Sequence, residues 1–296
     1  MSSSQWITQS TGTFSSSAKE LARRIDEADG VLIGAGAGLS TACGPDFAYA
    51  GERFERYFGD FRRRYHFADM YSGGFYPYAT PEERWAFWSR NVWYNRYDCP
   101  VGQPYLDLLD IVADKDYFVL TTNVDHQFQR AGFDKSRLFY TQGDYGLFQC
   151  SKPCHQKTYD NYEAVKAMVE QQHDLRIPSE LIPRCPRCGE PMSMNLRADD
   201  TFVQDEGWDR ACERYVSWRT AHDDKKIVYL ELGVGGNTPV IIKYPFWQAV
   251  AKNPLGFYVQ VNLGEVIAPS QIADRTMLID GDAAKVLSVV RELRRD

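Results

Sequence analysis

The sequence has no long apolar run and no surplus of positive charge. No stretch approaches the roughly 18 consecutive apolar residues that a membrane-spanning helix needs. Acidic residues outnumber basic ones by 40 to 34, whereas general nucleic-acid binders carry excess Lys and Arg to neutralise phosphates. Residues 1–17 lack the basic-then-apolar order of a signal peptide, and we expect them to be loosely ordered. These absences predict a cytoplasmic protein with no membrane or nucleic-acid partner.

We also expect the cysteines to form no disulfide bonds. The chain has seven cysteines, an odd number, and carries no export signal. Four of them form two pairs, Cys150/Cys154 and Cys185/Cys188, and we expect the other three to be buried as small apolar side chains. Those three isolated cysteines are Cys43, Cys99 and Cys212.

The paired cysteines predict a zinc site. Cys150-x3-Cys154 and Cys185-x2-Cys188, separated by about thirty residues, have the spacing of a four-thiolate site, and Pro186 and Gly189 favour a tight turn there. Four thiolates complete a tetrahedron and leave no open position, so the zinc is expected to be structural. His155 is an alternative ligand to its neighbour Cys154.

Strand-like and helix-like segments alternate along much of the chain. The strand candidates are rich in β-branched and aromatic residues without polar alternation, which is typical of parallel strands covered on both faces. They are residues 30–34, 117–122, 137–140, 227–232, 240–243, 257–261 and 276–279. Apolar residues at helical spacing predict a first helix over 17–28 and a last helix over 282–294. The pattern predicts an α/β fold with a mostly parallel sheet.

Two segments depart from this alternation and predict insertions into the sheet domain. Residues 48–109 are aromatic-rich and helical in pattern, and residues 142–205 contain the paired cysteines. The predicted organisation is a flexible N-terminus, a discontinuous sheet domain, a helical module and a zinc module. Their bounds are 1–16 for the N-terminus, 17–47, 110–141 and 206–296 for the sheet domain, 48–109 for the helical module and 142–205 for the zinc module.

Small and polar residues follow three of the predicted strands. The glycine-rich sequence GAGAGLS, residues 34–40, allows a backbone to approach a pyrophosphate, although Leu39 stands where the strict dinucleotide fingerprint has its third glycine. Thr122-Asn-Val-Asp125 and Gln142-Gly143 follow two further strands at their carboxyl ends, where open α/β sheets bind ligands. Taken singly, each segment also fits an ordinary turn or loop.

Taken together and in order, these segments resemble the sirtuin family. Residues 35–40 match its T-G-A-G-I-S turn, residues 44–47 match G-I-P-D-F without the Ile, and residues 121–125 match T-Q-N-I-D. Residues 233–235 lie near the G-T-S segment, and residues 261–262 resemble the late I-N. The resemblance implies a Rossmann-type, sirtuin-like NAD-binding sheet domain and a small domain of zinc and helical modules, with NAD between them.

The resemblance also implies roles for individual residues. Asn123 helps to cleave the nicotinamide bond, and Asp46 and Asp125 contact the ribose and nicotinamide. The implied catalytic residues are Asn123, Asp125 and Gln142. The implied NAD-binding residues are Gly36, Ala37, Gly38, Ser40, Asp46, Phe47, Asn123, Asp125, Gln142, Gly233, Gly235 and Asn262.

One departure from the family narrows the expected activity. Sirtuin deacylases use the His of a His-Gly pair as a base, but Gln142 occupies that position and glutamine exchanges no proton near neutral pH. Losing a positioned base typically costs roughly 10²–10⁴ in rate. Residues 141–146, TQGDYG, resemble the macrodomain-linked branch of sirtuins. That branch implies protein ADP-ribosylation of a lipoylated glycine-cleavage-H-like carrier, reversed by a macrodomain hydrolase, with weak or absent deacylase activity.

Other interpretations remain open from the sequence. A deacylase would need another base, with His126 or Asp144 as candidates, and a NAD-binding sensor or NAD-hydrolysing module would modify no protein. A dehydrogenase fits less well, because four thiolates leave the zinc no catalytic position. The aromatic stretch 71–97 is expected either to shape the acceptor entrance or simply to pack the core. Its side chains include Phe75, Trp85, Phe87, Trp88 and Trp93.

Overall fold

The structure is a computed structural model and describes residues 5–236 and 239–295. The strands are β1 Trp6–Ile7, β2 Gly30–Ala35, β3 Tyr117–Thr121, β4 Leu138–Tyr140, β5 Gly143–Cys150, β6 Tyr159–Asp160, β7 Met192–Leu196, β8 Ile227–Leu232, β9 Phe257–Asn262, β10 Ala268–Pro269 and β11 Thr276–Asp280. The helices are α1 Phe14–Glu27, α2 Ala37–Thr41, α3 Glu52–Tyr65, α4 Met70–Gly74, α5 Pro81–Val92, α6 Gln103–Val112, α7 Gln127–Ala131, α8 Tyr162–Gln171, α9 Glu206–Thr220, α10 Lys243–Lys252 and α11 Ala283–Arg295. A π-helical turn, Trp93–Tyr97, follows α5 directly.

Six parallel strands form the central sheet in the order β11-β9-β8-β2-β3-β4. Every residue of β2, β3 and β8 is buried, as expected for strands covered by helices on both faces. The chain leaves β2 toward β3 and later returns to its other side at β8. The strand order therefore reverses at β2, and the carboxyl end of β2 is where such sheets bind ligands.

Each face of the sheet has its own apolar core. Helices α1, α6 and α11 pack on one face, and α9 and α10 pack on the other. Helix α1 begins where the Thr13 side chain accepts a hydrogen bond from the Ser16 N–H, and it buries Leu21 and Ile25 against the sheet. These layers hold the carboxyl ends of the strands in fixed positions.

A third core joins the two inserted segments. Helices α3 and α5, from the first insertion, pack against β5, β7 and α8, from the second. The contact between Trp85 and Phe148, with ring centroids 5.1 Å apart and nearly perpendicular planes, crosses between the two segments. Strands β6, β5 and β7 form a separate antiparallel sheet in that order. The helical and zinc modules therefore share one hydrophobic interior.

The strand predicted over 240–243 is wrong. Helix α10 begins at Lys243, and Ile242 and Phe246 pack over Gly34 in β2, where an added Cβ would lie 2.4 Å from Ile242. The β-branched residues before α10 fill the space that this glycine leaves open. A tertiary contact thus overrides local β propensity.

Several smaller predictions also need correction. Trp6 and Ile7 are ordered, because β1 pairs with β10 and the Trp6 ring packs 5.5 Å from that of Trp247. Helix α6 crosses the predicted module boundary at 109/110 and packs within the sheet-domain core, so the helical insertion ends before Gln103. Of the isolated cysteines, Cys99 is buried, whereas Cys43 and Cys212 are half-buried.

Within residues 5–236 and 239–295, no helix is both long enough and apolar enough to span a membrane.

Candidate functional site

Four cysteine thiols converge in the small domain. The Sγ atoms of Cys150, Cys154, Cys185 and Cys188 all lie within 4.8 Å of one another. The Cys150–Cys188 and Cys154–Cys185 Sγ distances are 3.6 and 3.7 Å. Tetrahedral zinc with Zn–S bonds of about 2.3 Å requires neighbouring sulfurs about 3.8 Å apart. The four thiols therefore fit a structural zinc ion.

His155 lies beside this cluster and forms part of its surroundings. Its Nδ1 is 3.0 Å from the Cys154 Sγ, and its Nε2 is 2.7 Å from the Tyr159 hydroxyl. Both ring nitrogens are thus engaged, while the Cys154 Sγ points into the group of four. The geometry favours Cys154 over His155 as the fourth ligand.

A buried hydrogen-bond network forms where β2 and β3 end. Asn123 Nδ2 donates to the Gly36 carbonyl oxygen at 2.9 Å and to the Tyr105 hydroxyl at 3.1 Å. Ser40 Oγ donates to Asp125 Oδ2 at 2.5 Å and is 2.7 Å from the Tyr105 hydroxyl. Two sequence motifs separated by about eighty residues thus meet because their strands are neighbours in the sheet.

Burial sets the protonation states within this network. Burial raises the pKa of the Asp125 carboxyl, and the hydrogen bond from Ser40 opposes that rise. Burial, followed by the nearby Asp125 charge, raises the pKa of Tyr105 well above its ordinary value. Tyr105 is therefore a neutral phenol at physiological pH and acts as a hydrogen-bond donor and acceptor.

A cavity of about 360 Å³ opens beside the glycine-rich turn, and we call it the glycine cavity. It is bounded by α2, by the residues after β8 and β9, and by the start of α11. Its lining comprises Gly38, Thr41, Ala42, Gly44, Gly233, Val261, Asn262, Leu263, Gly281, Asp282 and Ala283. It thus occupies the carboxyl ends of the strands, as expected for a ligand site in such a sheet.

Close backbone contact explains the glycines in this wall. A Cβ on Gly38 would lie 2.7 Å from the Gly233 Cα, and one on Gly36 would lie 2.7 Å from the Gly233 carbonyl oxygen. Gly233 also has φ of +60°, in the left-handed region that favours glycine. The turns after β2 and β8 can therefore pack together only with small residues.

A second cavity, of about 480 Å³, lies between the sheet domain and the small domain, and we call it the glutamine cavity. Gln142 and Thr122 contribute the sheet-domain side, and the rest of the lining comes from α4, α5, β5, β7 and the residues after β7. That rest comprises Tyr71, Gly74, Phe75, Arg84, Trp88, Gln149, Ser193, Met194, Leu196, Arg197, Ala198, Asp199 and Thr201. Within the described residues, the buried Nε1 of Trp88 has no hydrogen-bond partner.

Asp144 forms a separate buried cluster with His126 and Arg96. Its Oδ1 accepts from Arg96 Nε at 2.8 Å, and its Oδ2 is 2.6 Å from His126 Nδ1. Burial would raise the pKa of this carboxyl, but the His126 hydrogen bond and the Arg96 charge hold it below the ordinary value. Because both oxygens are engaged, Asp144 is poorly placed to take a proton from a substrate.

The remaining predicted residues lie around these features. Phe47 is buried and Asp46 exposed, both in the short turn Pro45–Phe47, while Ala37 and Gly235 are exposed at the glycine-rich turn and after β8. Sequence reasoning missed Tyr105, which lies on α6 among apolar residues and gave no signal of a polar role. It also missed the arginines of the glutamine cavity.

Comparison with known proteins gives two relatives, while no protein-family model matches the chain. The chain is 40% identical over 299 residues to a protein ADP-ribosyltransferase of Staphylococcus aureus, covering 100% of this chain and 94% of that protein. It is 29% identical over 282 residues to a "probable bifunctional ADP-ribose hydrolase/ADP-ribosyltransferase" of Fusarium oxysporum f. sp. cubense, covering 90% of this chain. The match spans 46% of the Fusarium protein.

Solved structures with the same fold are sirtuins. A sirtuin studied for substrate affinity aligns with a TM-score of 0.58 at 19% identity, covering 93% of this chain and 98% of the other. A Sir2 homologue in complex with NAD aligns with a TM-score of 0.58 at 17% identity, covering 94% of each chain. At these identities the likeness establishes a sirtuin-like fold.

Proposed function

This chain belongs to the sirtuin-like protein ADP-ribosyltransferase family that includes the Staphylococcus aureus enzyme, and from that premise we propose that it transfers ADP-ribose from NAD to a protein acceptor. The observation that carries the proposal is the buried network of Asn123, Ser40, Asp125 and Tyr105. This network lies between two cavities. Gly38, two residues before Ser40, lines the glycine cavity, and Thr122, next to Asn123, lines the glutamine cavity.

NAD is proposed to bind with its adenosine and phosphates in the glycine cavity. The small residues Gly38 and Gly233 allow the pyrophosphate of NAD to approach the backbone of the cavity wall, and Asn262 adds a polar side chain to that wall. The nicotinamide ribose then lies toward Asn123 and Asp125, with Gly36, Ala37, Ser40, Asp46, Phe47 and Gly235 supporting the path. This assignment places the reacting sugar between the two domains.

The proposed reaction breaks one bond and forms one. The bond from the ribose C1′ to the nicotinamide nitrogen breaks with its electrons leaving on nicotinamide, while an acceptor atom bonds to C1′ and releases its proton to solvent water. Positive charge develops on the ribose in the transition state, so the step benefits from fixed orientation and a nearby negative group. Asn123, held by its hydrogen bonds to Gly36 and Tyr105, supplies orientation, and Asp125 supplies negative charge.

Gln142 is the reason for expecting weak or absent deacylation. Deacylation requires a base that takes a proton from a ribose hydroxyl, and an amide side chain cannot do so. Asp144, one alternative base, has both oxygens occupied by Arg96 and His126. The first step, release of nicotinamide, needs no such base and is expected to persist.

The acceptor is proposed to enter through the glutamine cavity. Tyr71 and Phe75 are each 68% exposed there, with ring centroids 4.9 Å apart, and Trp88 extends the same wall. An apolar arm such as the lipoyl group of a glycine-cleavage-H-like carrier fits such a lining. A macrodomain hydrolase is the proposed functional partner, and the Fusarium relative, named for both activities, supports that link.

Zinc is proposed to be structural. Cys150, Cys154, Cys185 and Cys188 would hold the ion, and their thiolates leave no position for a substrate. When bound, the ion fixes the turns that support β5 and β7, and these strands form one wall of the glutamine cavity.

The proposed activity is tested by incubating the protein with NAD and a lipoylated carrier, followed by intact mass measurement. We expect the carrier to gain the mass of one ADP-ribose and nicotinamide to be released in equal amount. A parallel reaction with an acylated peptide should yield little O-acyl-ADP-ribose. Deacylation at the rate of ordinary sirtuin deacylases, or nicotinamide release with no modified carrier, would contradict the proposal.

The Asn123→Ala variant provides the active-site control. Removing a preorganised hydrogen-bonding group typically lowers turnover by roughly 10²–10³. We therefore expect nicotinamide release and carrier modification to fall together by at least about a hundredfold. Asn161→Ala, which removes an amide donated to the Tyr145 carbonyl oxygen in the small domain, is the matched substitution outside the network. It should leave nicotinamide release within a few fold of the wild type.

A further inference from the structure

A buried ion pair lies beneath the loops that border the glycine cavity. Glu231 in β8 is fully buried, Lys243 at the start of α10 is 4% exposed, and their Oε1 and Nζ atoms are 2.5 Å apart. Two charges are costly to remove from water, and only good geometry with additional hydrogen bonds compensates for that cost. The proposed reaction uses neither residue, so the pair requires another explanation.

Glu231 connects three separate segments of the chain. Its Oε2 accepts from the Tyr258 hydroxyl at 2.8 Å, and its Oε1 accepts from Gln260 Nε2 at 3.1 Å as well as from Lys243. Gln260 Oε1 in turn accepts from the Ile267 N–H at 2.8 Å. One carboxylate therefore ties β8 to α10 directly and to the segment after β9 through Gln260.

These hydrogen bonds lie close in the chain to residues that line the glycine cavity. Gly233, which lines the cavity, lies two residues after Glu231 in the chain. Asn262 and Leu263 lie between Gln260 and Ile267, and both line the cavity. The buried network thus lies at both ends of residues 261–266 and two residues before Gly233, while the cavity residues Asn262 and Leu263 remain free of it.

We propose that Glu231 and Lys243 are positioning residues for NAD: their ion pair holds Gly233 and residues 262–266 after β9 in the arrangement that binds the dinucleotide. The proposal rests on the assignment of NAD to the glycine cavity. A positioning role of this kind affects affinity for the adenosine half of NAD, because Gly233, Asn262 and Leu263 line that cavity and Asn123 does not. A residue that only stabilises the fold has no such selectivity.

The test uses the double variant Glu231→Gln/Lys243→Met. Removing one charge leaves the other buried and unpaired, which is strongly destabilising, whereas removing both at similar volume is often tolerated. We expect the Kd for ADP-ribose and the KM for NAD to rise about tenfold, with kcat for nicotinamide release within about twofold. Titration calorimetry and steady-state nicotinamide release measure these quantities, and thermal unfolding establishes that the variant is folded.

Two further variants make the result decisive. Gln260→Met keeps both charges and removes the hydrogen bonds that link Glu231 to Ile267, so it should raise the ADP-ribose Kd in the same direction even where the double variant fails to fold. Asp107→Asn/Arg291→Met removes both charges of an ion pair on the opposite face of the sheet, where the atoms are also 2.5 Å apart, and should leave the Kd unchanged. Folded variants with wild-type affinity overturn the inference, whereas a wild-type protein that binds no ADP-ribose contradicts the NAD assignment itself.

Discussion

At the scale of single residues, the candidate site is preorganised by hydrogen bonds within the protein. The Asn123 amide is held by Gly36, Tyr105 and, at 3.3 Å, Ser40. A side chain fixed in this way needs little reorganisation when charge develops on a substrate. Tyr105 is central, because its hydroxyl contacts both Asn123 and Ser40.

Replacing Tyr105 by Phe tests this positioning role. The substitution removes one hydroxyl, so we expect a loss of about 1 kcal/mol in the free energy of unfolding. Because Asn123 loses a partner, kcat for nicotinamide release should fall about tenfold, while the KM for NAD stays within about twofold. Steady-state release of nicotinamide and denaturant unfolding measure the two effects.

Tyr117→Phe is the matched control for this variant. The Tyr117 hydroxyl accepts a hydrogen bond from the Asp134 N–H and takes no part in the Asn123 network. The variant should show a similar small change in stability with an unchanged kcat. Equal kinetic effects in both variants would remove the positioning role of Tyr105.

The Asp144 cluster predicts a pH-dependent contribution to stability. The folded protein lowers the pKa of the Asp144 carboxyl. The ionised carboxylate therefore contributes its full stabilisation above the ordinary carboxyl pKa of about 3.9, and this stabilisation is lost as pH falls through the folded value. Asp144→Asn should therefore cost about 2 kcal/mol or more at pH 7, and the difference from the wild type should narrow below about pH 4. Denaturant unfolding between about pH 7 and pH 3 measures this.

The exposed Asp98 provides the comparison for that titration. Asp98→Asn makes the same chemical change within the small domain and should alter the free energy of unfolding by no more than about 0.5 kcal/mol at any of these pH values. A difference in the free energy of unfolding between wild type and Asp144→Asn that stays constant from about pH 7 to pH 3 would contradict the assigned direction of the pKa shift.

Sequence motifs predicted three residues of the buried network, Ser40, Asn123 and Asp125, but did not predict Tyr105. Ser40, Asn123 and Asp125 each follow a strand at its carboxyl end, a position with a general physical reason to bind ligands. Tyr105 lies on α6 beside apolar residues, where a tyrosine has the same pattern as a core aromatic. Only the contacts of its hydroxyl with Ser40 in α2 and with Asn123 after β3 reveal Tyr105 as part of the site.

At the scale of elements, helices α4 and α5 divide the aromatic stretch into two environments. Trp88 lines the glutamine cavity with Tyr71 and Phe75, as the acceptor-entrance hypothesis requires. Trp85 and Phe87 are buried in the core, and Trp93 packs against Tyr97 and Tyr162. Of the two alternatives for this stretch, core packing therefore describes Trp85, Phe87 and Trp93, and the entrance hypothesis is kept for Trp88.

Trp88→Ala and Trp93→Ala form a matched pair for the entrance. We expect Trp88→Ala to reduce the rate of carrier modification about tenfold more than it reduces nicotinamide release without carrier. Trp93→Ala should affect both rates equally, because its ring packs on aromatic neighbours within the small domain. The two rates are measured by intact mass of the carrier and by nicotinamide release. A proportional loss in Trp88→Ala would exclude a role for this ring in acceptor binding.

The elements of the sheet were largely predictable because their runs are apolar and buried on both faces. Six of the seven predicted strands appear in the central sheet, and both terminal helices appear within a few residues of their expected bounds. The seventh, at 240–243, has the same β-branched composition but packs Ile242 over Gly34 instead. Composition alone cannot distinguish these cases, because the difference lies in a contact with a residue about two hundred positions away.

At the scale of the whole molecule, two bodies with separate cores meet at the glutamine cavity. The small domain depends on the cysteine cluster, because the cysteines lie at the ends of its strands. Cys150 ends β5 and pairs in register with Met192, the first residue of β7. The Cys185 N–H donates to the Glu190 carbonyl oxygen at 2.7 Å, just before β7 begins. A metal ion bound by these thiols therefore holds β5 and β7 together at one end.

Zinc removal should therefore unfold the small domain before the sheet domain. Structural zinc contributes roughly 10–16 kcal/mol of binding free energy in small domains, which is comparable with the whole stability of a domain. In Cys188→Ser, or after chelation, amide hydrogen exchange should accelerate in α5, α8 and β5 while β2 and β8 remain protected. Mass spectrometry of peptic fragments and zinc quantification measure the two outcomes.

Cys212→Ser is the control for this prediction. Cys212 is half-buried on α9, outside the cluster of four thiols. The variant should retain about one zinc per chain and the exchange pattern of the wild type. Uniform acceleration across both domains in Cys188→Ser would show that the two cores unfold as one unit.

The shared interior of the two insertions has a consequence for synthesis on the ribosome. Helices α3 and α5 emerge roughly 100 residues before the last zinc ligand, which at about 5–20 residues per second leaves their aromatic faces uncovered for some seconds. We expect nascent chains to be most prone to aggregate during that interval. Zinc binding, once the last ligand has been made, then favours burial of the exposed aromatic surface. We therefore expect the yield of folded protein during synthesis to depend on the supply of zinc.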